Sequence, residues 1–381
     1  MTPRSFATVP DDGAPLRVVV VGAGRMARLW LRTIAASPDV TLAGVVDTDP
    51  AAAVRALQET GAGEVPTGTS LTALARAAAA DAVVDVTVPE AHLPVTLEAL
   101  GLGLPVLGEK PLAATLAEAL RLAAAAEAAG RLFMVSQSRR YHPHLFAFRD
   151  RAAALGRPGI LTTEFFRDPH FGGFRDAMDH PLLIDMAIHP FDTARWLLDA
   201  DPVSVHCEEY NPPWSWYAGA AATTAVFEMT GGSRYVFTGS WCSPGLTTSW
   251  NGAWRLSSEH GSLVWDGANP VTAEAADAAN AADAAVPAPA APAPDAQPVP
   301  KGITGSLAEF VRALRTGDVP MGEVHDNVRS LAMVTAAVES AETGRRVRVD
   351  ALLDTALTEA LAASEPPERA ALRAWPGAGG G

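Results

Sequence analysis

The segment that most restricts the fold is Leu16-Arg17-Val18-Val19-Val20-Val21, which runs directly into Gly22-Ala23-Gly24-Arg25-Met26-Ala27. A short, uninterrupted β-branched run reads as a parallel strand buried on both faces, and the G-x-G-x-x-A turn hands it to a helix over Arg25 to Ala36. In such a turn Gly22 permits the tight bend, Gly24 lets a phosphate approach the backbone, and the small Ala27 lets the helix pack close to the strand. Arg25 and Met26 open the helix, where free backbone N–H groups and the macrodipole favour a pyrophosphate. An acid, Asp47, closes the next strand-like run, Val40 to Asp47, about twenty residues further on, placed to accept hydrogen bonds from adenosine ribose hydroxyls. Its charge would repel a 2′-phosphate, and Thr48, Asp49 and Pro50 bring no cation to offset that, so NAD is favoured over NADP.

The alternation continues. Pro50 to Thr60 reads as a helix, followed by a short strand near Val65, a helix over Leu71 to Ala79 and a strand over Ala82 to Val88. A helix from about His92, a strand at Pro105 to Leu107, a helix over Thr115 to Ala129 and a strand at Leu132 to Ser136 complete it. Strands alternating with helices of this length specify an α/β fold with a doubly wound parallel sheet, assigned to 15–138. After about Ser138 the rhythm changes. Gly159 to Phe166, Val203 to Tyr210, Thr223 to Met229, Tyr235 to Trp241 and Trp254 to Ser258 read as strands, with one strong helical stretch, Ile184 to Leu198. This predicts an α+β domain over 139–350 with a mostly antiparallel open sheet.

Within that domain 268–300 is dominated by Ala and Pro and buries too little surface to offset its ordering entropy, so it reads as a flexible insertion. Helices are expected at Ser306 to Arg315 and Val324 to Thr343. Residues 1–14 read as a disordered arm, and 351–381 as a C-terminal helix followed by a flexible tail from Gly377 to Gly381.

Composition excludes whole classes of partner. The 381 residues carry 29 Lys+Arg against 43 Asp+Glu, a net charge of −14, which leaves no cation excess for a nucleic-acid backbone or an anionic membrane surface. Cys207 and Cys242 make neither a disulfide framework nor a four-ligand zinc site, and they read as core thiols in a reducing compartment. His170, His180 and Glu164 fit no metal-ligand spacing, so no metal is expected. The proline-interrupted start, with Pro3, Pro10 and Pro15, offers no signal-peptide core, and a cytoplasmic location is expected.

The residues that bear chemistry lie in two places. Gly108-Glu109-Lys110-Pro111 ends the fifth strand, at the rim where such sheets bind ligands. Far downstream, Asp185, His189 and Asp192 are spaced i, i+4, i+7, which on a helix puts two carboxylates and an imidazole on one face. A carboxylate beside a histidine raises its basicity, and a cationic lysine stabilises a developing alkoxide. Inside a helix Pro190 would remove one backbone hydrogen bond and introduce a kink, at a cost of about 3 kcal/mol, unless the regular helix begins near it. Taken alone, His189 reads first as a hydrogen-bonded core histidine, whereas Asp192 reads equally as a backbone or surface partner, and Arg139 and Arg140 equally as ion-pair members. His92 reads as a helix-start residue. Of Trp214, Trp216, Trp241, Trp250 and Trp254, at most one or two are expected in a pocket, the rest in sheet cores.

These pieces resemble the Gfo/Idh/MocA oxidoreductases. The match rests on Gly22 to Ala27, on Glu109-Lys110-Pro111-Leu112 and on the Asp185, His189, Asp192 helix. Weaker matches are Arg140-Tyr141-His142-Pro143, Gly261-Ser262-Leu263 and Ser340 to Arg345. The resemblance implies a Rossmann domain binding NAD(P), through Gly22, Gly24, Arg25, Met26, Ala27, Asp47, Pro89, Glu109 and Lys110. It also implies a C-terminal domain whose open sheet forms a homodimer or homotetramer. The implied reaction passes hydride between nicotinamide and a carbon of a sugar, inositol or related polyol. Lys110 or His189 would be the acid/base, and Asp185 would hold substrate hydroxyls or the histidine. Arg140, Asp185, His189 and Asp192 would bind substrate. Two departures stand out: Val88-Pro89-Glu90 replaces a common Thr-Pro-Asn, and His180-Pro181-Leu182-Leu183 replaces a Gly-Gly pair. Two other readings share these motifs: glycoside cleavage or epimerisation through transient oxidation, and a non-catalytic dinucleotide and ligand sensor.

Overall fold

The computed structural model describes residues 6–276 and 300–375. They form two compact units, each discontinuous in sequence: 6–138 with 300–328 and 353–375, and 139–276 with 329–352.

The first unit alternates β1 (Leu16–Val21), α1 (Arg25–Ala36), β2 (Val40–Val46), α2 (Pro50–Thr60), β3 (Thr67–Gly68), α3 (Leu71–Ala77), β4 (Ala82–Asp85), α4 (Pro89–Gly101), β5 (Val106–Gly108), α5 (Leu116–Ala129) and β6 (Phe133–Val135). Its six strands run parallel in the order β3-β2-β1-β4-β5-β6. Val18, Val19, Val20, Ala82, Val83, Val84, Val106 and Leu107 are all fully buried, so both faces of the sheet are covered, as uninterrupted β-branched runs require. Helix α1 buries the stripe Ala27, Trp30, Leu31, Ile34. The third strand lies slightly beyond Val65, at Thr67–Gly68, and α3 stops at Ala77 because Ala79 takes a left-handed conformation with φ +46°.

Across 139–276 run α6 (Pro143–Ala153), β7 (Pro158–Phe166), α7 (Ile188–Leu198), β8 (Pro202–Tyr210), β9 (Ala222–Met229), β10 (Arg234–Ser240), β11 (Ala253–Ser258), β12 (Gly261–Trp265) and β13 (Thr272–Ala275). After residue 300 come α8 (Gly302–Thr316), α9 (Val324–Thr343), β14 (Val347–Arg348), α10 (Val349–Ala363) and α11 (Pro366–Arg373). The second sheet has eight strands in the order β13-β12-β11-β7-β10-β9-β8-β14, antiparallel except for the β7–β10 pair. Phe191 of α7 packs edge-on against Phe227, Tyr235 and Phe237 of β9 and β10.

Several expectations are corrected. Of the described residues before β1, Ala7 and Val9 are tied down, donating backbone hydrogen bonds to the carbonyls of Gly130 and Leu314. The segments 300–328 and 353–375 pack with the nucleotide-type sheet, not with the second region or as a tail. Val135 donates to the carbonyl of Gly322, α11 lies on α5 with Arg121 3.6 Å from Glu368, and Leu372 is fully buried. The Ala/Pro reading begins too early, since Thr272–Ala275 pairs with β12; 277–299 and the Gly377 to Gly381 tail lie outside the described residues. Finally, the single helix expected over Ile184 to Leu198 is a π-helix over Leu182–Ala187 that becomes α-helical at Ile188. Pro190 is thus the third residue of α7, just past the change from π to α winding, where the regular i→i−4 ladder is already interrupted and its missing donor breaks no established α-helical run.

Candidate active site

In the first unit the strand order reverses between β1 and β4, which opens a crevice beyond their carboxyl ends. Gly22 sits there with φ +100°, and a Cβ on it would lie 2.8 Å from the Val86 carbonyl oxygen. No side chain fits. At Gly24 the opposite holds, because a Cβ there would meet nothing within 4 Å. Gly24 caps α1 without any side-chain hydrogen bond, and no acid occupies the first turn. The helix N-terminus therefore opens onto space at Gly24, with Arg25 and Met26 exposed beside it and Ala27 fully buried. Asp47 closes the cradle: its Oδ2 accepts from the Ala23 N–H at 2.7 Å and its Oδ1 from the Asp49 N–H at 2.8 Å. A carboxylate has about four acceptor positions, so ribose hydroxyls can still be bound. The cradle fits a dinucleotide.

Since all six strands are parallel, Lys110 emerges on the same edge, two strand spacings or about 10 Å from the glycine turn. The Glu109 N–H donates to the Asp85 carbonyl at 2.8 Å, which fixes the chain at this point, and the Lys110–Pro111 peptide is cis. Glu109 itself corrects an expectation. It is buried; Oε1 accepts from the Trp30 indole at 2.7 Å and Oε2 from the Lys110 N–H at 3.1 Å. From this buried position it holds helix α1 and the lysine backbone. Pro89 is the first residue of α4 and is half-buried.

A polar group that the sequence reading missed lies behind this edge. Asp85, buried at the end of β4, accepts from the Thr87 N–H (3.1 Å), Thr87 hydroxyl (2.6 Å) and Thr96 hydroxyl (3.3 Å). His92, also buried and thus more than a helix-start residue, has Nδ1 2.8 Å from the Pro111 carbonyl and Nε2 3.3 Å from that of Thr87. Burial pushes both the Asp85 and the Glu109 carboxyls above the usual carboxylate range. The signal in the sequence was a carboxylate inside the apolar run Ala82 to Val88.

In the second unit the expected substrate residues separate into two kinds. Asp192 and Arg140, 1% and 3% exposed, are a buried pair: Nε and Nη2 of Arg140 donate to Oδ2 and Oδ1 at 2.6 and 2.7 Å. The Ser330 hydroxyl adds a third bond to Asp192 at 2.7 Å. So committed, the pair ties the turn at Ser138–Arg140 to α7 and α9 and leaves the list of substrate contacts. Asp185, half-buried, accepts from Arg175 Nε at 2.6 Å. His189, also half-buried, lines a hollow with Arg139, Met186, Thr193, Trp250, Asn251 and Trp254. Two of the five tryptophans reach it, and Trp241 is buried in the core.

Apart from these, His180 lies between two acids, with Nδ1 2.5 Å from Glu209 and Nε2 3.3 Å from Glu342. Burial pushes the Glu209 carboxyl up to about 7, His180 partly offsetting it. Cys207 and Cys242 are buried thiols, and burial raises Cys207 to about 12.

Comparison with known proteins agrees with this architecture. A family model described as an oxidoreductase family with NAD-binding Rossmann fold matches residues 16–137, and the GFO/IDH/MocA C-terminal domain matches 151–264. Rhizopine catabolism protein MocA of Rhizobium meliloti is 34% identical over 49% of this chain and 59% of its own. Inositol 2-dehydrogenase 4 of Saccharopolyspora erythraea is 35% identical over 50% of this chain and 56% of its own. Thus the chain spans somewhat more than half the length of these two relatives. Among solved structures, an oxidoreductase from Agrobacterium radiobacter in complex with NAD+, L-tartaric acid and magnesium superposes with a TM-score of 0.74 at 19% identity, covering 88% of this chain and 99% of that one. The glycine turn, the Glu109-Lys110-Pro111 corner and both matched regions lead to one conclusion: the chain belongs to the GFO/IDH/MocA oxidoreductase family, with that family's NAD-binding Rossmann fold in its first unit.

Proposed function

We propose that the protein is an NAD-dependent dehydrogenase that moves a hydride between nicotinamide and a hydroxyl-bearing carbon of a sugar, inositol or sugar-derived polyol. The observation that carries this reading is the placement of Lys110 on the same sheet edge as the open Gly24 cradle. The inositol dehydrogenase and rhizopine relatives support the substrate class. Bound NAD supplies the hydride acceptor. The chain supplies position and proton handling. Lys110, held through its backbone by Glu109, stabilises alkoxide charge as the hydroxyl proton leaves, and His189 takes that proton as general base. Asp185, fixed by Arg175, orients the histidine or the substrate hydroxyls. Gly22, Gly24, Arg25, Met26, Ala27, Asp47 and Pro89 hold the cofactor in this reading.

Assembly and location belong to the same proposal. One face of the eight-stranded sheet leaves Ile160 and Val264 each about 40% exposed, which suits a homodimer or homotetramer through that sheet. No helix among the described residues is long and apolar enough to cross a membrane, and we place the protein in the cytoplasm.

NADH formation across a polyol panel tests the reading. Lys110→Ala and His189→Gln are each expected to lower kcat by about 10²–10⁴-fold with folding intact. Full activity in both variants would remove their assigned roles. Product formation without net NADH would favour transient oxidation with NAD retained.

A further inference from the structure

We infer that the hollow beside His189 takes an anionic oxygen group carried by the substrate, a carboxylate or a phosphate ester, with Arg139 as its anchor and Arg167 as a second cation. The inference rests on the dehydrogenase reading of the His189 site and narrows its substrate class to acidic polyols.

The charges around Trp250 carry it. Arg139 lines the hollow, and its hydrogen bonds go to neutral acceptors: the Trp250 carbonyl and, at 3.2 Å, the Asn251 side-chain oxygen. Arg167 lies over the Trp250 ring, 4.5 Å from its centre, and donates to the Thr248 carbonyl at 2.8 Å. Its Nε is buried and makes no hydrogen bond. Among the described residues, neither guanidinium has a carboxylate ion-pair partner, whereas nearby Arg140 and Arg175 pair with Asp192 and Asp185. In a chain with 43 acids against 29 bases, two uncompensated guanidiniums on one tryptophan stand against the general balance. Burial lowers Arg139 to about 10, still cationic at neutral pH, with its charge poorly solvated. A ligand anion would supply the missing partner, and the planar fork of a guanidinium matches carboxylate and phosphate oxygens two at a time.

The remaining lining fits the rest of an acidic polyol. Trp250 and Trp254 line it with aromatic carbon suited to C–H groups, while Asn251, Thr193 and His189 bring polar side chains suited to hydroxyls. A neutral polyol satisfies the second set and leaves the two cations as they are.

Calorimetry on the full chain with NAD, using D-glucuronate, D-gluconate and D-glucose 6-phosphate against D-glucose and myo-inositol, tests the inference. At least one acid is expected to bind tenfold or more tightly than its neutral counterpart, with the preference shrinking as salt rises. Carboxylate and phosphate members of the panel distinguish the two sources of charge. Arg139→Gln is expected to reduce the preference at least tenfold and Arg139→Lys to retain part of it. Should Arg139→Gln fail to fold, the salt dependence of the wild type and the lysine variant still decide. The inference is overturned if no acid outbinds its neutral counterpart, or if Arg139→Gln keeps the preference. Selective binding of an acid without NADH formation would support it while sinking the dehydrogenase reading. NADH formation from neutral polyols alone would do the reverse.

Discussion

Gly22 and Asp192 show how differently single residues depend on their surroundings. Gly22 is constrained by its own φ of +100° and by the Val86 carbonyl 2.8 Å from where a Cβ would stand. Gly22→Ala is expected to cost about 1–3 kcal/mol and to weaken NAD binding, read by thermal melting with and without NAD. A melting profile and NAD shift equal to wild type would show that the turn relaxes freely. Asp192 depends instead on a partner 52 residues away. Asp192→Asn leaves the Arg140 guanidinium buried beside a neutral amide, and a loss of about 3–5 kcal/mol in urea unfolding is expected. A loss below 1 kcal/mol would mean that the pair is solvated. This contrast also explains what the sequence revealed. The placement of Gly22, Gly24, Asp47 and Lys110 at the carboxyl edge of the sheet was legible because strand ends and the turns after them fix it locally. The pairing of Arg140 with Asp192 and the inward turn of Glu109 toward Trp30 were not, because long-range packing decides them.

At the scale of elements, strong periodicity and strong caps predict well. Helix α5, expected over Thr115 to Ala129, forms over Leu116–Ala129 with Thr115 as its N-cap, and both bonds of its Thr115–Glu118 capping box form at 3.2 Å. Thr115→Ala is expected to cost about 1 kcal/mol, seen as a lower urea midpoint at unchanged slope, and no change would mean that water replaces the cap. Where two ladders compete, the pattern is silent. Leu182–Ala187 and Ile188–Leu198 are both largely apolar, and nothing in their spacing marks the change from π to α winding just before Pro190. Strand pairing is likewise only partly readable. The alternation announced β7 and β10 as strands, but their parallel pairing across an otherwise antiparallel sheet depends on chain crossings that no local pattern encodes.

At the scale of the whole molecule, the excess of acids acts on stability through the few that are buried. Burial raises Asp85, Glu109 and Glu209, the last to about 7 from an ordinary 4.5. A carboxyl raised in the folded state binds its proton more tightly there than in the unfolded chain, so stability falls as pH rises through the interval between the two values. For Glu209 that interval runs from about pH 4.5 to about 7. His180 acts in the same direction: burial opposes its charge, but the bonds to Glu209 and Glu342 outweigh this and raise it, so its contribution is present below its unfolded value and is lost above its folded one. The exposed acids lowered by arginine neighbours, such as Glu59 and Asp350, oppose this only at lower pH, and solvent weakens their effect. Urea unfolding at pH 5, 6, 7 and 8 is therefore expected to show declining stability. In Glu209→Gln the decline between pH 5 and 7 should be shallower by of the order of 2 kcal/mol, since the glutamine carries no proton to lose. Parallel profiles for the variant and the wild type would show that Glu209 is ionised in the folded protein throughout, and that the His180 pair is a simple salt bridge.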